Sequence, residues 1–190
     1  MKRYILTGAP GAGKTAIIRA LEVDGYAVVE EAATDIMALE LARGTQEPWT
    51  HPSFVGAITA LQRTRELRAS AQGDNVQVYD RSPICTLALA EFLGAPVPSV
   101  LAEEVRRIEV EGIYERQVIF IETLGFVTPT EVRRISYEDA LRFERLHEDA
   151  LRFERLHEET YRRRGYDCVR IPAQPLAGRV MRVAEIVGRP

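Results

Sequence analysis

The sequence has little of what disulfide-stabilised, zinc-binding or membrane-spanning proteins need. Its two cysteines, Cys85 and Cys168, lie far apart and belong to no Cys-x-x-Cys or Cys/His spacing, which argues against a disulfide framework and a zinc site. The apolar stretch within the N-terminal MKRYILTG is too short for a signal peptide or a membrane span. These absences predict a soluble, cytoplasmic protein with reduced cysteines.

The charge balance offers no general attraction for polyanions. The 190 residues include 25 Lys and Arg against 28 Asp and Glu, a formal net charge of −3. Without a positive excess, non-specific binding to nucleic acid or to anionic lipid is not expected. A hydrophobic content of 46% is enough for one sizeable core, so the sequence predicts a single domain over residues 1–190.

A glycine-rich segment near the N-terminus carries the most specific signal. The pattern Gly-x4-Gly-Lys-Thr is met by GAPGAGKT, which lies between a short apolar run, Tyr4 to Thr7, and a helical pattern, Lys14 to Val23. Glycines in such a turn let backbone N–H groups surround a phosphate, and the helix directs its positive end at the anion. The lysine reaches the β- and γ-phosphates, and the threonine hydroxyl binds Mg²⁺. The predicted nucleotide-binding residues are therefore Gly8, Ala9, Pro10, Gly11, Ala12, Gly13, Lys14 and Thr15. Since no Asn-Lys-x-Asp pattern for guanine occurs, ATP is the expected nucleotide.

Four further apolar runs alternate with helical segments, and this order predicts an α/β fold with a parallel sheet. Ligands of such sheets bind at the carboxyl ends of the strands. The glycine loop, Glu30, Glu31 and Asp80 all fall at such ends. The four runs are Tyr26 to Val29, Val76 to Tyr79, Gln117 to Ile121 and Cys168 to Ile171.

Two charged residues follow the third strand. Asp80 stands where P-loop proteins hold an acid associated with Mg²⁺, so we predict that it is a metal ligand, with a turn or helix N-cap role as the alternative. Arg81 would lie beside the phosphates, where a guanidinium can grip anionic oxygens with two nitrogens. An ordinary surface salt bridge is the alternative for Arg81.

Residues 34–71 have a mainly helical pattern, broken at GTQEPWTHPS by glycine and proline. This region is long enough to cover a substrate. The rings of Trp49 and Phe54 and the amide of Gln62 suit a ring-shaped molecule, and Arg65 suits an anionic substituent on it. Packing within the core or a lid is the alternative for the two aromatic residues, and a structural or solvent-facing role is the alternative for Arg65.

An identical tandem repeat, EDALRFERLH, occupies residues 138–147 and again residues 148–157. It predicts one long amphipathic helix from about Tyr137 to Arg163, within a lid and helix region at 128–163. Ten residues add about 15 Å to a helix and rotate the following face to about 80° short of three full turns. One repeat does not indicate a solenoid. The duplication is either tolerated in a protruding helix or makes a partner or homodimer contact.

Four motifs and a basic run after the fourth strand together carry a resemblance; the motifs are GAPGAGKT, VVEEAA after the second strand, VYDRSP at the third and RIPA after the fifth. They resemble the small P-loop kinases of nucleosides, nucleotides and nicotinamide riboside. More closely, they resemble a small bacterial family of AAA-type ATP-binding domains related to the nicotinamide riboside kinase domain. The resemblance covers essentially the whole chain. It implies a five-stranded sheet in the order 2-3-1-4-5 and transfer of the ATP γ-phosphoryl group to a hydroxyl of a small, nucleoside-like molecule.

The resemblance also implies roles for individual residues. A carboxylate after the second strand would accept the proton of the acceptor hydroxyl, and here it is Glu30 or Glu31, with Glu31 slightly preferred; a solvated acid pair is the alternative. Lid arginines of related kinases are matched by Arg133 and Arg134, whose alternative is a solvated helical face. The backbone at Pro172 and Ala173 would lie along the adenine.

Three hypotheses for function follow. The first is a small-molecule kinase, whose catalytic residues would be Lys14, Glu30 or Glu31, Asp80, Arg81, Arg133 and Arg134. The second is an ATP hydrolase acting on a protein partner, with the long helix transmitting the signal. The third is a nucleotide-dependent regulator without meaningful turnover.

Overall fold

The computed structural model describes residues 1–9, 11–123 and 137–190, and for residues 137–148 it describes the backbone alone. Strands and helices alternate along the described ranges, as the sequence predicts. The elements are β1 (Lys2–Gly8), α1 (Lys14–Val23), β2 (Ala27–Val29), α2 (Ala32–Ala42), α3 (Phe54–Gln72), β3 (Val76–Asp80), α4 (Pro83–Leu93), α5 (Ser99–Glu111), β4 (Gln117–Ile121), α6 (Tyr137–Arg163), β5 (Asp167–Ile171) and α7 (Leu176–Val187).

The five described strands form one parallel sheet in the order β2-β3-β1-β4-β5, which confirms the predicted order. The central strand β1 pairs with β3 on one side and β4 on the other, so that Leu6 lies opposite Asp80 and Gly8 opposite Ile121. Helices cover both faces, and all of β3 and the last four residues of β4 are accordingly buried. The last residues of β1 and β3 therefore meet at one edge of the sheet.

The two faces of the sheet bury separate apolar clusters. On one face α1 and α7 pack through residues such as Ile17, Leu21 and Val183. On the other face α4 and α5 pack through residues such as Ile84 and Leu101, and α6 adds the fully buried Tyr161. Both layers hold the loops at the carboxyl edge of the sheet in fixed positions.

The region between β2 and β3 consists of α2, a short 3₁₀ turn (Pro48–Thr50) and α3. This is the helical region with a break that the sequence predicts. A small apolar cluster that includes Ile36, Phe54 and Ile58 joins α2 to α3. The pair of helices forms one wall of the cavity described below.

The helix α6 includes both copies of the decapeptide and has the predicted bounds. Its described side chains begin in the second copy, which packs against α4. None of the helices in the described part of the chain is long and apolar enough to cross a bilayer.

Candidate active site

The loop between β1 and α1 requires glycine at two positions. Gly8 has a φ of +138°, and a Cβ at this position would lie 2.2 Å from the Ile121 carbonyl oxygen. Gly13 has a φ of +81° and caps α1, and its Cβ would lie 3.0 Å from a guanidinium nitrogen of Arg179. Residues with a side chain rarely adopt such φ values, and the Ile121 carbonyl group leaves no room for a Cβ at Gly8. The glycines are therefore fixed by backbone geometry, and the N-terminus of α1 is left facing the loop.

Lys14 lies across this loop. The side chain is buried, and its Nζ donates hydrogen bonds to the Gly8 and Ala9 carbonyl oxygens at 3.1 and 2.8 Å. Burial, with a smaller contribution from the nearby Arg81, lowers the pKa of Lys14 to about 8. An anionic phosphate in the loop would offset this effect and stabilise the ammonium.

Asp80 and Thr15 line one small cavity of about 140 Å³, together with Glu31. The Oδ1 atom of Asp80 is buried and has no hydrogen-bond partner among the described residues. Burial is the main reason that the pKa of Asp80 is raised to about 6, and repulsion from Glu31 adds to the effect. An unpartnered carboxylate oxygen beside a threonine hydroxyl suits Mg²⁺, which binds through one or two protein oxygens plus phosphates. The described side chains contain no cluster of three or more metal-ligating residues.

Replacing Asp80 with asparagine is expected to stabilise the nucleotide-free protein at neutral pH. The carboxyl group ionises near pH 3.8 when unfolded and near pH 6 when folded, so its contribution to stability is present at low pH and is lost as the pH rises through this window. Asp80→Asn removes this loss and should raise the melting temperature at pH 7.5 by about 2 °C or more, while weakening Mg²⁺–ATP binding. Thermal unfolding from pH 4 to 8 tests the expectation. The control is Asp24→Asn, at an exposed position. Equal pH profiles of the melting temperature for the wild type and Asp80→Asn would contradict the expectation.

Arg81 turns the chain from β3 into α4 in a left-handed conformation, with a φ of +72°. This costs about 1–2 kcal/mol for a residue other than glycine. Its Nε lies 2.5 Å from Glu31 Oε1, as an ion pair rather than an aligned hydrogen bond, and its Nη2 donates to the Gly8 carbonyl oxygen at 3.2 Å. The strained residue thus joins the glycine loop to the carboxylate after β2.

The two acids after β2 have different surroundings. Glu30 is half exposed and pairs with Arg19 at 2.5 Å. Glu31 is three-quarters buried, and besides Arg81 it accepts a hydrogen bond from the Thr34 hydroxyl at 2.6 Å. Of the two, only Glu31 lines both the small cavity beside Asp80 and the larger cavity next to it.

The larger cavity has a volume of about 460 Å³ and a mainly apolar lining. It brings together three of the four predicted acceptor-binding residues, Trp49, Phe54 and Gln62. The fourth, Arg65, does not line it but lies behind Glu31, where its guanidinium donates to the Glu31 carbonyl oxygen at 2.6 Å and pairs with Asp35. The remaining lining residues are Glu31, Ala33, Thr34, Met37, Arg81, Cys85, Thr86, Leu89, Leu93, Phe153 and His157.

Comparison with known proteins agrees with this architecture. A family model described as an AAA domain matches residues 3–179. The chain belongs to this family. The family membership predicted from the four motifs is therefore confirmed. No curated protein matches the sequence at a significant level.

Solved structures similar to this AAA-domain protein include a nucleoside kinase and a nucleotide kinase. Thymidylate kinase from Ehrlichia chaffeensis matches with a TM-score of 0.61 and 12% identity, over 98% of each chain. Deoxyadenosine kinase from M. mycoides, with products dCMP and dCDP bound, matches with a TM-score of 0.57 and 15% identity, over 97% of each chain. The same enzyme with bound dATP matches with a TM-score of 0.56 and 15% identity, over 98% of each chain. At these identities the likeness establishes the fold of the AAA-domain protein.

Of the other predicted site residues of this AAA-domain protein, two line neither cavity and three lie outside the described residues. Pro172 and Ala173 form an exposed turn between β5 and α7, at the same edge of the sheet as the glycine loop. Pro10, Arg133 and Arg134 lie outside the described residues. Their assignments remain predictions.

The structure of the AAA-domain protein also brings in residues that the sequence does not indicate. Arg179 of α7 is buried under the glycine loop, where its Nη2 donates to the Ala12 carbonyl oxygen, and its Nε has no partner among the described residues. Burial lowers the pKa of Arg179, and no described carboxylate forms a salt bridge with it. His157 and Phe153 of α6 line the larger cavity. No local motif marks any of these residues, because their contacts span long distances in sequence.

Replacing Arg179 with methionine is expected to weaken ATP binding by about tenfold or more, since the loop loses a charge-assisted hydrogen bond and a buried cation near the phosphates. The matched control is Arg182→Met on the same helix, where the arginine is exposed and pairs with Glu185. Titration calorimetry with Mg²⁺–ATP measures the difference. Equal ATP affinities for the two variants would contradict the expectation.

Proposed function

We propose that the AAA-domain protein is an ATP-dependent kinase that phosphorylates a hydroxyl group of a small, uncharged, nucleoside-like molecule. The observation that carries the proposal is the position of Glu31. This carboxylate borders both the small cavity lined by Thr15 and Asp80 and the 460 Å³ cavity lined by Trp49, Phe54 and Gln62. A kinase needs a proton acceptor within hydrogen-bond reach of the acceptor hydroxyl, and the place of Glu31 where the two cavities meet supports that role.

The donor nucleotide would be held by the chain's own loop. Backbone N–H groups of the loop would surround the β-phosphate, and Lys14, which now donates to two carbonyl oxygens, would donate to phosphate oxygens instead. Thr15 and Asp80 would hold Mg²⁺, which supplies positive charge between the phosphates. Catalysis on this scheme is mainly positioning and electrostatic stabilisation.

In the transfer step Glu31 accepts the proton of the acceptor hydroxyl. The acceptor oxygen forms a bond to the γ-phosphorus, the bond from this phosphorus to the β,γ-bridging oxygen breaks, and ADP leaves with that electron pair. Arg81 holds the Glu31 carboxylate through the 2.5 Å ion pair, and the Thr34 hydroxyl holds its other oxygen. The products are ADP and the phosphorylated acceptor.

The charge of the cavity favours a neutral acceptor. Arg81 is the only cation among the described lining residues, and Glu31 already pairs with it. A nucleoside monophosphate would bring about two negative charges that these residues leave without a partner, whereas a nucleoside needs only stacking and hydrogen bonds. We therefore expect nucleosides and ribosides to react in preference to their 5′-monophosphates.

The test is ATP consumption measured with the protein alone and with a panel of nucleosides, ribosides and their 5′-monophosphates, with mass spectrometry of the products. A phosphorylated neutral acceptor supports the proposal. Turnover that needs no acceptor and is lost in Lys14→Ala would instead favour an ATP hydrolase. Tight ATP binding without turnover would favour a nucleotide-dependent regulator.

Replacing Gln62 with leucine is expected to lower kcat/KM for the acceptor by about tenfold to a hundredfold. The Gln62 carbonyl oxygen accepts from the Thr86 hydroxyl at 2.9 Å, which leaves the amide NH₂ group as a donor for the acceptor's ring. Loss of such a bond to a buried polar group costs about 1–3 kcal/mol. Steady-state kinetics should show the change in the acceptor KM and not in the ATP KM. Gln72→Leu, at the exposed end of the same helix, is the control, and an equal effect there would contradict the assignment.

A further inference from the structure

The second copy of the decapeptide lies against the candidate active site. Phe153 and His157, one helical turn apart, both line the larger cavity. The next turn carries Tyr161, whose hydroxyl is 2.7 Å from Ser82 Oγ and 2.9 Å from Cys85 Sγ at the start of α4. Three successive turns of α6 are thus anchored on the segment that follows Asp80.

Each nitrogen of the Arg81 guanidinium has its own neighbour. Nε pairs with Glu31 and Nη2 donates to the Gly8 carbonyl oxygen, while Nη1 lies 3.2 Å from His157 Nε2. The guanidinium carbon also lies 5.7 Å from the centre of the Phe153 ring. The orientation of Arg81 toward Glu31 therefore depends on side chains of α6.

The tautomer of His157 follows from its other nitrogen. Nδ1 lies 2.9 Å from the Phe153 carbonyl oxygen, which can only accept, so Nδ1 carries the proton and Nε2 accepts from Arg81. The ring is fully buried, and burial together with the charge of Arg81 lowers the pKa of His157 to about 3. His157 is therefore neutral and unsuited to proton transfer near pH 7, whereas it is well suited to orient a guanidinium.

We propose that His157 is a positioning residue, which holds the Arg81 guanidinium against Glu31 so that the carboxylate faces the acceptor. This proposal rests on the proposed kinase function for its kinetic readout. It also explains which copy of the repeat the site uses. The matching His147 of the first copy stands ten residues earlier, about 15 Å further along the helix and at a different angle around it. His157 lies one helical turn before Tyr161, whereas His147 lies about four turns before it.

The repeat supplies a matched control, because His147→Leu and His157→Leu make the same change within identical decapeptides. We expect His157→Leu to lower kcat/KM for the acceptor at least tenfold and to leave ATP affinity within twofold of the wild type. His157→Gln, whose side-chain oxygen can accept from Arg81, should recover most of this loss. His147→Leu should behave as the wild type. Equal kinetics for the two leucine variants, or a glutamine variant no better than the leucine variant, would overturn the proposal.

A second measurement does not depend on activity and uses only the wild-type protein. Nitrogen-15 NMR of the histidine rings in the wild-type protein should show His157 neutral at pH 7, with its proton on Nδ1. A proton on Nε2 would overturn the proposal, since Nε2 could then not accept from Arg81. If the wild type phosphorylates no acceptor, the kinase function fails while this NMR result still decides the role of His157.

Discussion

Lys14→Ala is expected to lower the rate of phosphoryl transfer by about 10²- to 10³-fold. The ammonium lies within the glycine loop, where the donor phosphates would bind, and alanine supplies neither its charge nor its hydrogen bonds. The variant would leave the carboxylates of Asp80 and Glu31 facing the phosphates with less positive charge between them. ATP binding should weaken in parallel, because the lysine also holds the ground-state phosphates.

The control for this change is Lys2→Ala, because Lys2 is the only other lysine in the sequence and is exposed. Product formation at saturating ATP and acceptor measures the rate, and calorimetry measures ATP affinity. Thermal unfolding checks that the variant folds: the pKa of Lys14 is already lowered by burial, so loss of the charge should not destabilise the apoprotein strongly. Retention of more than half of the wild-type rate would remove Lys14 from the mechanism.

The parts of the fold that depend on local sequence could be predicted closely. The bounds of α1 and β4 agree with the predicted ones because each apolar pattern ends at a turn or a charged residue. The strand β2 begins at Ala27 and not at Tyr26, because the Tyr26 N–H donates to the Leu21 carbonyl oxygen and so belongs to the end of α1. The strand β1 extends to Lys2, which pairs with Val76 despite its charge. A hydrogen bond to the end of α1 sets the first boundary and pairing with β3 sets the second, and a single apolar run reveals neither contact.

The candidate site likewise has parts that the local sequence predicts and parts that it does not. The glycine loop has a specific pattern within eight residues, so the sequence predicts it, although the atoms that a Cβ at Gly8 or Gly13 would meet belong to Ile121 and Arg179. The contacts of Arg81 with His157, and of Arg179 with Ala12, join residues 76 and 167 positions apart. Such contacts depend on how α6 and α7 pack on the sheet, and residue type alone gives no sign of them. Arg65 shows the converse, since its charge suggested a substrate contact and its packing directs it to the backbone behind Glu31.

Glu31→Gln should lower kcat by about 10²- to 10⁴-fold, the range for loss of a general base. The amide has the same shape and can still accept from Thr34, but it cannot take the proton of the acceptor hydroxyl. The KM values for ATP and acceptor should change little, because both cavities keep their lining. Single-turnover measurements with saturating acceptor separate this chemical step from product release.

The adjacent Glu30→Gln is the matched control, since it makes the same change one residue away in a side chain that is half exposed and paired with Arg19. Loss of an exposed ion pair costs at most about 1 kcal/mol of stability and leaves the reacting groups in place. A large decrease in kcat for Glu30→Gln with near-normal turnover of Glu31→Gln would transfer the role of base to Glu30. Small effects of both substitutions would mean that neither acid accepts the proton. A loss confined to Glu31→Gln would identify the carboxylate between the two cavities as the base, as its pairing with Arg81 and its burial lead us to expect.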